Sequence, residues 1–507
     1  MEIVAHRREG YQLLHDGLIE LSSVEANGIR IDMGRLRDTK EDLQEQIRKI
    51  RQQLEDTDVW DKWRRRYGPK AKITSRDQLG EIFYNQLGFK AKKTTESGAD
   101  AADAESLSHI KHPFIEPYQR LVKLDKALGT FLKGIEFEVV NGRLHPVFNL
   151  HTVRTYRSSS DSPNFQNFPV RDKEIAKIIR SLFIATDLDS CLVENDFKGI
   201  EVGVSACYHL DRNFIRYIED TKNSDMHRDM AQQIFCLTPD QWKKLDKAVA
   251  KDARQGAKNK FVFPQFYGDY YVACAKALWE WIDTFKLVGP NGEPLKQWLD
   301  EKHGIEKLGE CDPELKAEEG TFEKHIQEIE NDFWNNRFRE YGQWRRDFYK
   351  SYLDKGYFDT HTGFRVFGSF SRNQVTNFPV QGSAFHCLLW TLIQVNRKLR
   401  KYKMQSKVVG QIHDSLIGDV KIRELRDYLE IVEETATVEL REYYKWLIVP
   451  LEIEYEIAPS TGSWHDKKPV LFKQGVFTHP FDKENPRTTT DPFKFMHALN
   501  NPPKESK

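Results

Sequence analysis

The stretch Leu192-Val193-Glu194-Asn195-Asp196-Phe197-Lys198-Gly199-Ile200-Glu201 decides the fold. It opens on an apolar run of strand length, delivers an acid at the end of that run, and passes through a glycine into a helical texture. The segment 407–420 has the same character. Lys407-Val408-Val409-Gly410-Gln411-Ile412 and Leu416-Ile417-Gly418-Asp419-Val420 read as the two arms of a hairpin, with His413 and Asp414 at its turn. Aspartate is an ordinary turn residue, so either acid alone says little. Brought together from distant sequence, Asp196 and Asp414 are what a pair of Mg²⁺ ions requires, because these hard cations take carboxylate oxygens and keep several waters. Two such ions about 3.5–4 Å apart activate an attacking hydroxyl and stabilise a departing phosphate oxygen.

Outward from that pair, 201–286 is dominated by helical texture and a polar, acidic stretch continues to about residue 340. Arg254 and Lys258 stand four apart, hence on one helix face, where they can meet adjacent phosphates together; the plain alternative is an exposed basic face. The first third also reads as helical. Residues 24–32 form a short strand or turn, and Leu36, Leu43, Ile47, Ile50 and Leu54 then recur at the spacing of a long amphipathic helix. The densely basic run 62–72 reads as a loop. Ser75-Arg76-Asp77-Gln78 has capping-box spacing and predicts a helix ending near Gly88, with another between 117 and 139. Strand and turn texture occupies 142–150, a Ser, Asn and Pro-rich loop follows to 169, and the chain beyond Trp464 reads as a loosely packed tail.

Bulk properties bound the answer without giving it. A chain of 507 residues has room for two or three cores. The 77 basic and 77 acidic residues leave no net charge, which weighs mildly against a phosphate binder until the local basic run is considered. No long uncharged apolar run predicts a membrane span and no apolar leader follows Met1. The six cysteines lack any C-x-x-C pair and read as reduced thiols of an intracellular protein.

Six stretches resemble the signatures of family A DNA polymerases, in that family's order. Asp196-Phe197-Lys198-Gly199-Ile200-Glu201 resembles motif A; Arg254-x-x-x-Lys258 followed by Phe263-x-x-x-Tyr267-Gly268 resembles motif B; His413-Asp414 between apolar strands resembles motif C. Thr155-Tyr156-Arg157-Ser158-Ser159, Pro163-Asn164-Phe165-Gln166-Asn167-Phe168-Pro169-Val170-Arg171 and Asn377-Phe378-Pro379-Val380-Gln381-Gly382-Ser383-Ala384 look like further signatures, and Asp225-Met226-His227 falls between motifs A and B. The resemblance implies an α+β, right-hand fold. It would have a helical thumb (1–140), an antiparallel-sheet palm in two segments (141–205 and 358–466), helical fingers (206–357) and a C-terminal tail (467–507).

It also implies roles. Asp196, Asp414 and the backbone carbonyl of Phe197 would hold two Mg²⁺ ions, with Mn²⁺ able to substitute. Arg254, Lys258 and His227 would meet the triphosphate, and Lys258 would protonate the leaving group. Glu201 would exclude a 2′-hydroxyl, Phe263 would face the sugar and Tyr267 would stack near the template base. Arg157, Gln166, Asn167, Asn377, Gln381 and His413 would touch the primer-template. The implied partners are primer-template DNA and dNTPs, with a separate exonuclease or processivity factor, for a monomer without membrane association. The expected setting is the cytoplasm, that of a bacterial host if the chain is phage-encoded.

Departures from the family pattern matter. Lys258 to Tyr267 is one residue longer than usual and contains Pro264, which predicts a bulge or break between Asn259 and Pro264; Phe263 faces the sugar if it forms, Val262 if it does not. Motif A carries Lys198-Gly199 where cellular enzymes often have Ser-Gln, and motif C carries Ser415 where they usually have Glu. The His-Asp-Ser form and the Phe-Tyr-Gly-Asp-Tyr-Tyr run point to phage-encoded members and a role in phage replication. The thumb-like region begins near Met1, so a proofreading exonuclease is expected outside this chain. The rivals are a single-subunit RNA polymerase, which Glu201 and Gln166-Asn167 argue against, and a non-catalytic DNA-binding relative, which has no need of Asp196, Asp414, Arg254 and Lys258 together. A nuclease would have no use for a sugar gate.

Overall fold

The computed structural model describes residues 6–91, 94, 100–103, 106–107, 109–170, 172–479 and 487–502; Arg171 of the quoted signature and parts of the expected tail lie outside them. At its centre is a seven-stranded antiparallel sheet. Its order is Lys407–Ile412, Ser415–Lys421, Ser190–Phe197, Ile453–Ile457, Lys468–Lys473, Val476–Thr478 and Thr488–Thr489. The first three strands are buried along nearly their whole length, the pattern of strands covered on both faces.

Two glycines let aromatic rings lie directly on this sheet. A Cβ at Gly410 would stand 2.8 Å from the Phe165 ring, and one at Gly418 would stand 2.5 Å from the Tyr428 hydroxyl. That hydroxyl accepts from Asn195 Nδ2 at 3.1 Å, so the amide buried in the middle strand keeps a donor–acceptor partner. The long helix Arg372–Lys401 opens on a capping box at Ser371 and Gln374 and buries most of its length beside the sheet.

The N-terminal third is helical, as its periodicity predicts. Met33–Glu55 buries Leu36, Leu43, Ile47 and Leu54, with Asp32 capping its start. The helix Arg7–Asn27 takes in residues 24–27, so only Ile29–Ile31 of the expected 24–32 segment is a strand; it joins a second sheet of order Val139–Val140, Arg143–Leu144, Ile29–Ile31, Phe183–Ile184. Between 115 and 138 the helix is continuous through a π-helical stretch at Ala127–Leu132.

Three local expectations need correction. The first half of the basic run is a helix, Asp58–Tyr67, because Val59, Trp60 and Trp63 form an apolar stripe that packs inward and Thr57 caps its start; Arg64, Arg65 and Arg66 fall in its last turn, where the helix dipole favours cations. At Ser75 the hydroxyl accepts from Gln78 N, but the Gln78 side chain turns away to Trp63 Nε1 and Lys72 N, so no reciprocal box forms. The described residues after Trp464 are not loose. Lys468–Lys473, Val476–Thr478 and Thr488–Thr489 extend the central sheet, and the helix Pro492–Asn500 buries Phe495, Met496 and Leu499. The acidic stretch before 340 is largely helical, as Leu295–His303 and Phe322–Asp332. No helix of the described residues is long and apolar enough to cross a membrane.

Candidate active site

Strand pairing brings the two aspartates together. Ser415 lies opposite Asp196 on one side and Glu454 lies opposite it on the other, while Phe197 N donates to the Asp414 carbonyl at 3.1 Å. Asp414 occupies the turn after His413, whose φ of +51° puts it in the left-handed region that few residues other than glycine adopt. Burial, then the neighbouring Asp414 charge, then Glu194 and Glu454 push the Asp196 carboxyl up to about 7, with Lys467 acting the other way. Lys467 is held close by, on Glu194 at 2.5 Å and on Glu456.

Two carboxylates whose mutual repulsion resists ionisation, beside a backbone carbonyl, are hard oxygen donors suited to Mg²⁺. Among the described residues no group of three or more His, Cys, Asp or Glu could hold a metal. An ion here would therefore complete its shell with water or substrate oxygens, as Mg²⁺ commonly does and a structural Zn²⁺ does not.

Asp414 opens onto a cleft of about 220 Å³ lined also by Glu201, Phe263, Tyr267, Asn377 and Gln381. Glu201 starts the helix Ile200–His209 and is gripped from two sides: Arg157 Nη1 lies 3.3 Å from one carboxylate oxygen, and the Tyr267 hydroxyl donates to the other at 3.2 Å. Asn377 Nδ2 donates to the Tyr267 carbonyl at 3.4 Å, tying the long helix to the opposite wall.

That wall carries the irregular motif. A π-helical turn spans Lys258–Val262 and absorbs the extra residue within the expected interval. Pro264 then sits in the first turn of Phe263–Tyr267, where its missing N–H is tolerated. The bulge leaves Val262 fully buried and turns Phe263 to the cleft. Lys258 Nζ lies 5.1 Å from the Phe263 ring centroid, and the His227 ring meets the same phenyl edge-on at 5.7 Å.

Arg254 Nε donates to Asp225 Oδ2 at 2.7 Å, and Asp225 Oδ1 accepts from the backbone N–H groups of His227 and Arg228, both at 3.1 Å. Burial acts to raise the Asp225 carboxyl, but these partners outweigh it and hold it below its ordinary value. His227 is pushed down to about 4 by burial and by the nearby cations, so it is a neutral imidazole near pH 7, and its Nδ1 is buried without a hydrogen-bond partner.

A second groove of about 630 Å³ adjoins the first, lined by Arg154, Arg157, Gln166, Phe378, Gln381 and His413. Gln381 borders both. Gln166 is turned inward, to Ser158 and Gln411, while Asn167 is exposed and lines neither.

The structure thus gathers Asp414, Glu201, Phe263, Tyr267, Asn377 and Gln381 at one cleft, with Asp196 beside Asp414 on the neighbouring strand and Arg254, Lys258 and His227 on the flank. It adds Asp225, which the sequence shows only as a landmark; its visible signal is an N-cap aspartate two residues before a histidine. It also adds Gln411, two residues before His413 on the strand.

The sequence model of DNA polymerase family A matches residues 35–278 and 315–466. DNA polymerase I of Geobacillus stearothermophilus is 25% identical over 456 residues, covering 88% of this chain and 45% of that protein. The DNA polymerase of Bacillus phage SP01 is 24% identical over 424 residues, covering 78% of this chain and 40% of that protein. The chain thus spans less than half the length of these relatives. Among solved structures, the POL domain of Pol1 from M. smegmatis, in complex with DNA primer-template and dNTP, shares the fold. Its TM-score is 0.66 at 22% identity, with 89% of this chain and 70% of that chain covered. Matched over well more than half its length, the chain belongs to DNA polymerase family A.

Proposed function

We propose that this chain is a template-directed DNA polymerase that adds dNTPs to a primer 3′ end. The observation that carries the reading is the register that sets Asp196 beside the Asp414 turn at the mouth of a cleft walled by Glu201, Phe263 and Tyr267. Asp196, Asp414 and the Phe197 carbonyl would hold two Mg²⁺ ions, or Mn²⁺ in their place. When bound, such ions lower the pKa of the attacking hydroxyl and neutralise charge on the departing phosphate.

The chain's own residues supply the rest. Arg254 and Lys258 bind the triphosphate, and Arg254 leaves Asp225 to do so. Lys258 carries the proton that the leaving pyrophosphate takes up. Neutral His227 donates one hydrogen bond to a phosphate oxygen. Glu201, immobilised by Arg157 and Tyr267, occupies the space beneath the sugar C2′ and excludes ribonucleotides; the phenyl of Phe263 faces the sugar from the other side. Tyr267 presents its ring near the template base. Asn377, Gln381, Arg157, Asn167 and His413 line or flank the path of the primer-template.

In this reading residues 1–140 are a thumb whose helix Asp58–Tyr67 grips the duplex backbone through Arg64 to Arg66. Residues 141–205 and 358–466 form the palm and 206–357 the fingers. Of residues 467–507, the strands Lys468–Lys473, Val476–Thr478 and Thr488–Thr489 and the helix Pro492–Asn500 form an appendage along the palm edge. A role in phage DNA replication is supported by the phage relative and by the His413-Asp414-Ser415 form.

The test is primer extension on a primed single strand with Mg²⁺ and either dNTPs or NTPs, comparing wild type with Asp414→Ala. Extension with dNTPs that disappears in the variant is expected. Extension with NTPs would make the chain an RNA polymerase, and tight duplex binding without extension would leave a DNA-binding relative.

A further inference from the structure

A polar network centred on a buried glutamine of the sheet lies beside the His413–Asp414 turn. Gln411 is 1% exposed on the strand Lys407–Ile412. Its Oε1 accepts from Ser158 Oγ at 2.7 Å and from Gln166 Nε2 at 2.7 Å, while its Nε2 donates to the His413 carbonyl at 2.8 Å. Gln166 Nε2 also donates to Ser158 Oγ at 2.8 Å, closing a triangle. Donor and acceptor counting fixes every role. Both Gln166 amide protons, the single Ser158 hydroxyl proton and both lone pairs of the Gln411 oxygen are used, which forces the Gln411 nitrogen toward the His413 carbonyl.

That carbonyl belongs to the peptide joining His413 to Asp414, and His413 is in the left-handed region, a conformation that persists only when its surroundings enforce it. We propose that Gln411, oriented by Ser158 and Gln166, locks the His413–Asp414 turn. Gln411 is then a positioning residue for Asp414, and Gln166 acts through the protein rather than by touching DNA. The inference deepens the polymerase reading and rests on it for its kinetic consequences, but the lock itself is a property of the free protein.

The experiment combines hydrogen exchange of the peptide containing 411–415, in protein without metal or nucleotide, with primer-extension kinetics and primer-template Kd. Gln411→Leu should raise exchange at the turn roughly 3- to 10-fold, the loss of one hydrogen bond's protection. It should lower kcat roughly 10- to 100-fold, as removal of a partner that orients a ligand does, with Kd for DNA unchanged. Gln411→Glu keeps both accepted bonds but cannot donate to His413, so it should loosen the turn as Gln411→Leu does. Gln166→Ala should lower kcat without changing Kd, and adding it to Gln411→Leu should cost nothing further, since both act through one path.

If Gln411→Leu fails to fold, Ser158→Ala, which removes one hydroxyl, should show the same changes in smaller measure. Unchanged exchange at the turn in these variants, a Gln411→Glu protein that behaves as wild type, or a Gln166→Ala effect confined to Kd and additive with Gln411→Leu would overturn the proposal. A wild type that extends no primer would defeat the polymerase reading instead, and exchange would still decide the lock.

Discussion

The two walls of the cleft are held in opposite electrostatic states. On the sheet, Asp196 is buried against Asp414 with Glu194 and Glu454 nearby, and its carboxyl is pushed up to about 7. On the helical wall, Arg254 already has Asp225 at 2.7 Å and His227 is neutral. One wall carries like charges that a cation would relieve; the other is balanced before any ligand binds. The difference teaches where each wall obtains its order. Strand pairing and the turn that it closes hold Asp414 beside Asp196, whereas an arginine on a helix can swing from an internal partner to an external one.

Replacing one strained acid tests this contrast hardest. Asp196→Asn should lower extension by about 10³-fold or more and yet raise the Tm of the metal-free protein near neutral pH. The sign follows from the shift: a carboxyl raised from 3.8 to about 7 is held protonated in the fold, so stability falls as pH rises through that interval and stays low above it. The amide removes that loss. A Tm in EDTA that drops instead would show that the acid is no burden to the sheet.

On the balanced wall, Lys258→Ala should lower kcat/KM for the nucleotide by about 10²- to 10³-fold, with no gain in Tm and an unchanged Kd for primer-template. A stabilised Lys258→Ala would erase the contrast between the walls. Asp225→Ala acts more gently, because it removes a helix cap and the resting partner of Arg254 together. Urea unfolding should show a loss of about 1 kcal/mol, and nucleotide KM should fall as Arg254 is released. A KM that rises would make Asp225 part of the nucleotide site itself.

The smallest effect is expected from pH near neutrality. Burial pushes His209 and His386 down to about 3 and His361 to about 4. His386 Nε2 donates to the Tyr156 carbonyl at 3.2 Å and Nδ1 accepts from the Thr362 hydroxyl at 2.6 Å, so its neutral form is the one the structure fits. Depressed values mean full stability above about 7, a slight loss between pH about 7 and 6, and a continuing loss down to about 3–4. A denaturation series across that range measures it, and His386→Gln should flatten part of the slope.

Much of the site was legible because its elements are local. The strand ending in Asp196 and the hairpin around Asp414 are written in short apolar runs. The extra residue before Tyr267 announced the π-helical turn at Lys258–Val262 through simple spacing. Where local texture misled, packing had the last word: Val59, Trp60 and Trp63 make a helix of a run that charge alone marks as a loop. The free edge of Ile453–Ile457 likewise gives the segment after Trp464 a partner that its own composition does not reveal.

By itself, then, the sequence determined the elements, the acids at their ends and the order of the motifs, since these depend on neighbours within a few residues. Only the tertiary structure decided which side chain holds which. Asp225 with Arg254, Arg157 and Tyr267 with Glu201, and Gln166 with Gln411 are pairs separated by tens to hundreds of residues. A polar side chain in a buried site must be satisfied by whatever partner the fold brings within about 3 Å, and no local pattern encodes that choice.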